Sequence, residues 1–252
     1  MDYVSDILNA IPSPKGITEA DYRSIAPMIE AAKTFARVTD QGVIISDMFR
    51  KNFLYASDSP LVLVNHPKEE VLAKGYRLLI ENSPQEDRAM MAELIAALFR
   101  SNREMGFKDD DTYTISCNFR FMIYQRPVLV NHKVTPLAKD SEGRVWLALC
   151  MVSHSAHNRP GHITATIGNS TNRMYYSFDE HSWVCQEEPV ELTQDERSML
   201  YLTAQGYTMR EIADRMFRSI DTVKMYRKHV FSKLGVSNIS EALVYATNYH
   251  LL

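Results

Sequence analysis

Cysteine is nearly missing from this chain. The three present, Cys117, Cys150 and Cys185, lie far apart and form no Cys-x-x-Cys pair. That excludes a disulfide scaffold and a thiolate zinc site, and it reads as free thiols in a reducing compartment. Long apolar runs are missing too, since none approaches the ~20 residues that a membrane helix needs. The opening Met1-Asp2-Tyr3-Val4-Ser5-Asp6 lacks the basic start and apolar core of a secretory signal. The expected location is the cytoplasm, with no membrane partner. No Gly-rich phosphate loop and no nucleophile–base arrangement appears, so no enzyme is expected. An early acidic pair with a downstream lysine, the mark of a phosphoacceptor domain, is also lacking. Nor is there a large excess of one charge: the net is −3, against indiscriminate nucleic-acid binding.

What is present fits folded domains. The 252 residues are 45% hydrophobic and 23% charged, enough for two domains of ordinary size. Charge is distributed unevenly. From Pro189 to Leu252, eight Lys and Arg face seven acids, a net of +1, and the remainder carries 20 against 24, a net of −4. Within Arg218 to Leu234 stand five basic residues (Arg218, Lys224, Arg227, Lys228, Lys233) and a single acid, Asp221. Positive charge is focused on one predicted helix, as a nucleic-acid footprint requires.

The C-terminal region reads as short capped helices. Thr193-x-x-Glu196 and Thr208-x-x-Glu211 are capping boxes, Ser219 caps a third helix, and Asn238-x-x-Glu241 opens a fourth. Gly206 and Gly235 sit where helices should stop. On the third helix, Val223, Tyr226, Val230 and Leu234 share one stripe. Lys224, Met225 and Lys228 fall opposite, with Arg227 on the flank. Lysines can donate to guanine O6 and N7, and a methionine can touch a thymine methyl, so these three are the candidate base readers. Arg218, Ser219, Thr222 and Arg227 are the candidate phosphate contacts. On the last helix Ala242, Tyr245, Ala246 and Tyr249 follow helical spacing. They are the candidate dimer stripe, with packing inside their own domain as the alternative.

Leu192 to about Tyr249 resembles the LuxR/NarL-type helix-turn-helix. The resemblance rests on Leu192-Thr193, Glu196, Gly206, Glu211-Ile212-Ala213, Ser219, Thr222-Val223-Lys224 and Lys233-Leu234-Gly235-Val236. It implies a reading motif in the second and third helices and a dimer contact in the fourth. It also matches Lys224, Met225 and Lys228 to base-reading positions. Two departures stand out: Tyr226, where a histidine is common, and Arg218 in the turn Met216-Phe217-Arg218.

Upstream, Thr18 to about Val38 reads as a helix that Pro27 begins or kinks. Two strand-like runs follow, at Gly42–Asp47 and Asn52–Ser57. Short helical signals come next, then a long helix from Pro84 to about Arg103. Three further strands are predicted at Tyr113–Met122, Val128–Leu137 and Val145–Ser153. In the first of these Tyr113, Ile115, Cys117, Phe119 and Phe121 alternate with polar residues. This order, with Phe53-x-Tyr55-x-Ser57, His66-Pro67 and Ser83-Pro84-Gln85-Glu86-Asp87-Arg88, resembles a PAS domain. Such a fold implies an inner sheet face that binds a small ligand or simply packs, and an outer face that dimerises. Tyr113, Ile115, Cys117 and Phe119, with His132 as a polar handle, are the candidate ligand pocket. Ile163–Ile167 and Met174–Phe178, joined by a turn at Gly168-Asn169, read as a hairpin that Trp183 docks.

The expected fold class is therefore α+β. Residues 1–40 form a helical segment, 41–157 a PAS-like sensory or dimerisation domain, and 158–188 a hairpin and linker. Residues 189–252 form a four-helix helix-turn-helix domain. No cofactor is expected: Cys117 lies on a strand, unlike a flavin-attachment cysteine. No metal is expected either, because His154, His157 and His162 read as a solvated loop. The expected function is a sequence-specific transcriptional regulator acting as a homodimer on double-stranded DNA. RNA polymerase is a second candidate partner and an unknown small molecule a candidate ligand. Two other readings stay open. One is a helix-turn-helix that contacts the transcription machinery with little DNA affinity, and the other is a haem or metabolite sensor.

Overall fold

Pro27 divides the helix expected near the start of the chain. In the computed structural model, which describes residues 4, 9, 13–104, 112–155, 157, 159–168, 173–185, 190–248 and 251–252, the expected helix over 18–38 is two helices. α1 spans Glu19–Ser24 and α2 spans Ala26–Thr39, with Pro27 in the first turn of α2. A proline has no N–H to continue the earlier helix but suits the first turn of a new one. Thr18 caps α1 through a capping box with Asp21.

Two compact units divide the chain, Met1–Glu187 and Glu188–Leu252. The first is built on β1 (Gly42–Asp47), β2 (Asn52–Ala56), α3 (Pro60–Leu63), α4 (Lys68–Lys74) and α5 (Tyr76–Glu81). A 3-10 turn at Gln85–Asp87 leads into the long helix α6 (Arg88–Glu104). Then come β3 (Tyr113–Ile123), β4 (Arg126–Lys139), β5 (Val145–His154), β6 (Ile163–Ile167), β7 (Arg173–Ser177) and β8 (Ser182–Cys185). The PAS-like order of two strands, short helices, a long helix and three strands is present. All eight strands join in one antiparallel sheet, ordered β2-β1-β5-β4-β3-β6-β7-β8. The segment expected as hairpin and linker supplies β6 to β8 of that same sheet. Its Trp183 stacks edge-on to Tyr176, with ring centroids 5.6 Å apart. Asn169 and the Glu187-Glu188-Pro189 segment lie outside the described residues.

Alternation sorts the strands onto two faces. The inner face carries Ile115, Cys117, Phe119 and Phe121 against Leu78, Ile80, Leu94 and Ile95, the main core. The outer face is covered near β1 by α2, whose Ala32 and Ala36 pack on Val43 and Ile45. Strand β1 is buried along its whole length because helices cover both its faces. Arg120 on β3 grips Asp87 with two charge-assisted bonds and so fixes the turn that opens α6.

The second unit holds α7 (Gln194–Ala204), α8 (Met209–Arg215), α9 (Ile220–Leu234) and α10 (Ile239–Asn248). Leu200, Ile212, Val223, Val230, Ala242 and Ala246 form its core. The chain is thus mixed, a sheet with helices followed by a helical unit. Among the described residues, no helix is long and apolar enough to cross a membrane.

Candidate nucleic-acid interface

Each helix of the second unit starts on a side-chain cap. Thr193 and Glu196 close a capping box on α7, and Thr208 and Glu211 close one on α8. On α9 the Ser219 hydroxyl accepts from the Thr222 N–H at 3.1 Å and lies 2.8 Å from the Thr222 hydroxyl. The α10 start uses Asn238, whose side chain accepts from the Glu241 N–H at 3.0 Å. Glu196 is buried although ionisable. Burial works to raise its pKa, but Lys233 at 2.7 Å and the Thr193 N–H hold its carboxyl below the usual range.

α9 has two faces. Val223, Val230 and Leu234 are buried, and Tyr226 is half-buried. Lys224, Met225 and Lys228 are exposed on the other side. Lys224 and Lys228 are one turn apart, close enough to serve one groove. Of the expected phosphate contacts, Ser219 and Thr222 lie at the helix start, and Arg227 lays its guanidinium 5.1 Å over the Phe231 ring. Arg218 is not free. It pairs with Asp195 at 3.3 Å, a partner with no signal in the local sequence. Phe217 turns the chain between α8 and α9 at a left-handed φ of 54° and is 91% exposed.

The stripe on α10 needs correction. Ala242 and Ala246 are fully buried in the core of their own unit, and Tyr245 packs against the same core. Ala242 and Ala246 cannot meet a partner helix while the unit stays folded, whereas Tyr245 keeps part of its surface exposed. Helical spacing finds an apolar face but does not say what covers it. Tyr249 lies outside the described residues.

The inner-face candidates are brought together. Tyr113, Ile115, Cys117, Phe119 and His132 are all buried, and Cys117 stands opposite His132 in the β3–β4 register. The Cys117 thiol donates to the His132 carbonyl at 3.3 Å. The imidazole meets Phe119 edge-on at 5.4 Å, and its Nε2 is buried without a hydrogen bond. Burial pushes His132 down to about 4 and the Cys117 thiol up, so both are neutral near pH 7. The sequence missed three polar neighbours on this face. Cys150 lies 3.5 Å from the Tyr76 hydroxyl and 3.9 Å from that of Ser46. Only the pairing of β1 with β5 and the placement of α5 bring these residues together. In the loop beyond β5, the His157 and His162 rings lie 4.2 Å apart, tilted by 56°. Among the described residues no group of three or more His, Cys, Asp or Glu could hold a metal.

Residues 190–246 match the profile of bacterial regulatory proteins of the luxR family. Over 56 residues the chain is 45% identical to the DNA-binding transcriptional activator DevR/DosR of Mycobacterium tuberculosis, covering 22% of this chain and 26% of that protein. It is 43% identical over 61 residues to the transcriptional regulatory protein LiaR of Bacillus subtilis, or 24% of this chain and 29% of that one. The chain thus spans about a quarter of the length of these relatives. A solved structure of the Vibrio cholerae VqmA dimer without target DNA aligns over 88% of both chains, at 18% identity and a TM-score of 0.34. The capped helices and the exposed basic face of α9 agree with the family profile, and it is residues 190–246 that are similar to the luxR-family regulatory proteins.

Proposed function

We propose that this protein is a cytoplasmic, sequence-specific DNA-binding transcriptional regulator, not an enzyme, and that its PAS-like unit controls it. The observation that carries this reading is the division of α9. Its apolar residues are spent on the core, while Lys224, Met225 and Lys228 stay exposed with no packing role. A helix so divided can enter the major groove and present its outer side chains to base edges. Two copies acting together would read an inverted repeat, with half-sites about one helical turn apart.

In the first unit, the unpartnered His132 Nε2 supports a small-ligand site on the inner sheet face. Buried polar groups are normally satisfied, so an orphan there favours a hydrogen-bonding guest. With His132, Tyr76 and the thiols uncharged, a neutral guest suits these surroundings. It would control DNA binding only by favouring one arrangement of the protein over another.

Selection of bound fragments from random DNA, followed by a salt series on the winner, tests the DNA reading. Specific binding with affinity falling steeply in salt is expected. Equal and negligible binding to all DNA would favour the other reading, contact with RNA polymerase. That alternative draws on the exposed Phe217 and Tyr201.

A further inference from the structure

Asp195 sits in the first turn of α7, on neither the basic face of α9 nor the core. Yet one of its oxygens, Oδ2, accepts two bonds from the reading motif. The Tyr226 hydroxyl, in the middle of α9, donates at 2.5 Å. The Arg218 guanidinium, in the turn just before the Ser219 cap, donates at 3.3 Å. The beginning and the middle of the recognition helix are thus tied to a single atom on another helix. Both bonds favour the ionised carboxylate, Tyr226 more than Arg218, and they hold the Asp195 carboxyl below its usual range.

Two consequences follow from this geometry. Tyr226 lies at the border between the buried and the exposed sides of α9, so fixing its hydroxyl fixes the rotation of α9 about its own axis. Lys224, Met225 and Lys228 are long and exposed; Lys233 ties the far end of α9 to Glu196 of α7, and the Asp195–Tyr226 bond adds a second polar tie nearer the exposed lysines. Hydrogen bonds to base edges weaken steeply once distance and angle drift, so rotation costs recognition of the right sequence before it costs general attraction to DNA. The second consequence concerns charge. Asp195 sets a negative charge against Arg218 at the edge of the basic surface, so Arg218 contributes less to sequence-independent phosphate attraction than a free arginine would.

We propose, resting on the DNA-binding reading above, that Asp195 is a positioning residue for DNA specificity, which fixes the angle of α9 through Tyr226 and restrains Arg218. It touches no base itself. By this account the chain exchanges some affinity for DNA in general for discrimination among sequences.

The test uses the full chain, with fluorescence anisotropy on a selected site and on random duplex, well below the melting temperature. Tyr226→Phe removes one oxygen and keeps the ring in place. It should lower affinity for the selected site about tenfold, with random-duplex affinity and salt slope unchanged. Asp195→Asn keeps an acceptor but removes the charge. It should raise random-duplex affinity and steepen its salt slope by about one phosphate contact, so the ratio of selected to random binding falls. A cluster that merely holds the fold would move the melting temperature and leave ratio and slope alone. If both variants keep the wild-type ratio and slope, or if Tyr226→Phe loses affinity equally on both DNAs, the proposal is wrong. If the unaltered protein selects no DNA, the DNA-binding reading fails first, and this inference with it.

Discussion

Lys228 and Arg227 are neighbours in sequence but point to different tasks. Lys228 is exposed on the outer face of α9, whereas Arg227 leans over Phe231 on the flank. Lys228→Ala is expected to cost about 1–3 kcal/mol on the selected site and to relax preference at one base pair. Arg227→Ala is expected to weaken all sequences alike and lower the salt slope by about one. Equal losses in both assays for both variants would undo this division. In the first unit, His132 should show itself through pH. Its folded pKa, near 4, lies below the unfolded value near 6.5. The unfolded chain therefore binds a proton that the folded chain refuses, and stability falls as pH drops from about 6.5 towards 4. The full effect is on the order of 3 kcal/mol, with His162, also pushed to about 4, adding to it. Calorimetry across that range should show the fall, and His132→Leu should flatten it; an unchanged slope would mean His132 is not the proton acceptor. Single residues were legible where a local rule applies. Tyr113, Ile115, Cys117 and Phe119 could be placed on one face because side chains on a strand alternate. Asp195, Tyr76 and Ser46 could not, since each acts through a partner far away in sequence.

Elements were most legible at their starts. The Thr193–Glu196, Thr208–Glu211 and Asn238–Glu241 pairs each satisfy backbone groups within three residues, so sequence alone locates them. Ser219→Ala should cost about 1 kcal/mol in the melting of the C-terminal unit, as the loss of a cap does. What covers a helix was less legible than where it begins. The apolar stripe of α10 reads the same whether a partner or its own unit covers it, and here its own unit does. Ala246→Glu should therefore unfold the C-terminal unit, a loss above about 4 kcal/mol, because it forces an unpaired carboxylate into a filled core. Val244→Glu, on the exposed side of the same helix, should stay within about 0.5 kcal/mol. Circular dichroism melts of the two variants decide the matter, and an intact Ala246→Glu would return that face to the surface.

At the scale of the molecule, the two units invite separation. A fragment of residues 190–252 should fold and bind DNA, since its capped helices and apolar core lie within its own sequence. Its affinity relative to the full chain reports what the first unit does. Tighter binding by the fragment indicates inhibition, and weaker binding indicates that the first unit helps two copies act together. Identical affinity and stoichiometry would exclude control of DNA binding by the first unit. The extent of the sheet was the least legible feature of all. The sequence reads β6 and β7 as a separate hairpin and offers no strand at β8, because strand order is set by pairing across the whole unit, not by neighbours in sequence.

That strand order also sets a timetable. Ile44 of β1 pairs with Cys150 of β5, about a hundred residues further along the chain. Bringing such distant partners together costs loop entropy before any contact rewards it. On the ribosome, β1 can pair with β2 and meet α2 early, but its other edge must wait for β5 to emerge. The helices of the C-terminal unit find their contacts within a few dozen residues and need no such wait. Both tryptophans, Trp146 and Trp183, belong to the slower unit. Refolding from denaturant should therefore show a fast phase in helical circular dichroism that tryptophan fluorescence does not see, followed by a slower phase that it does.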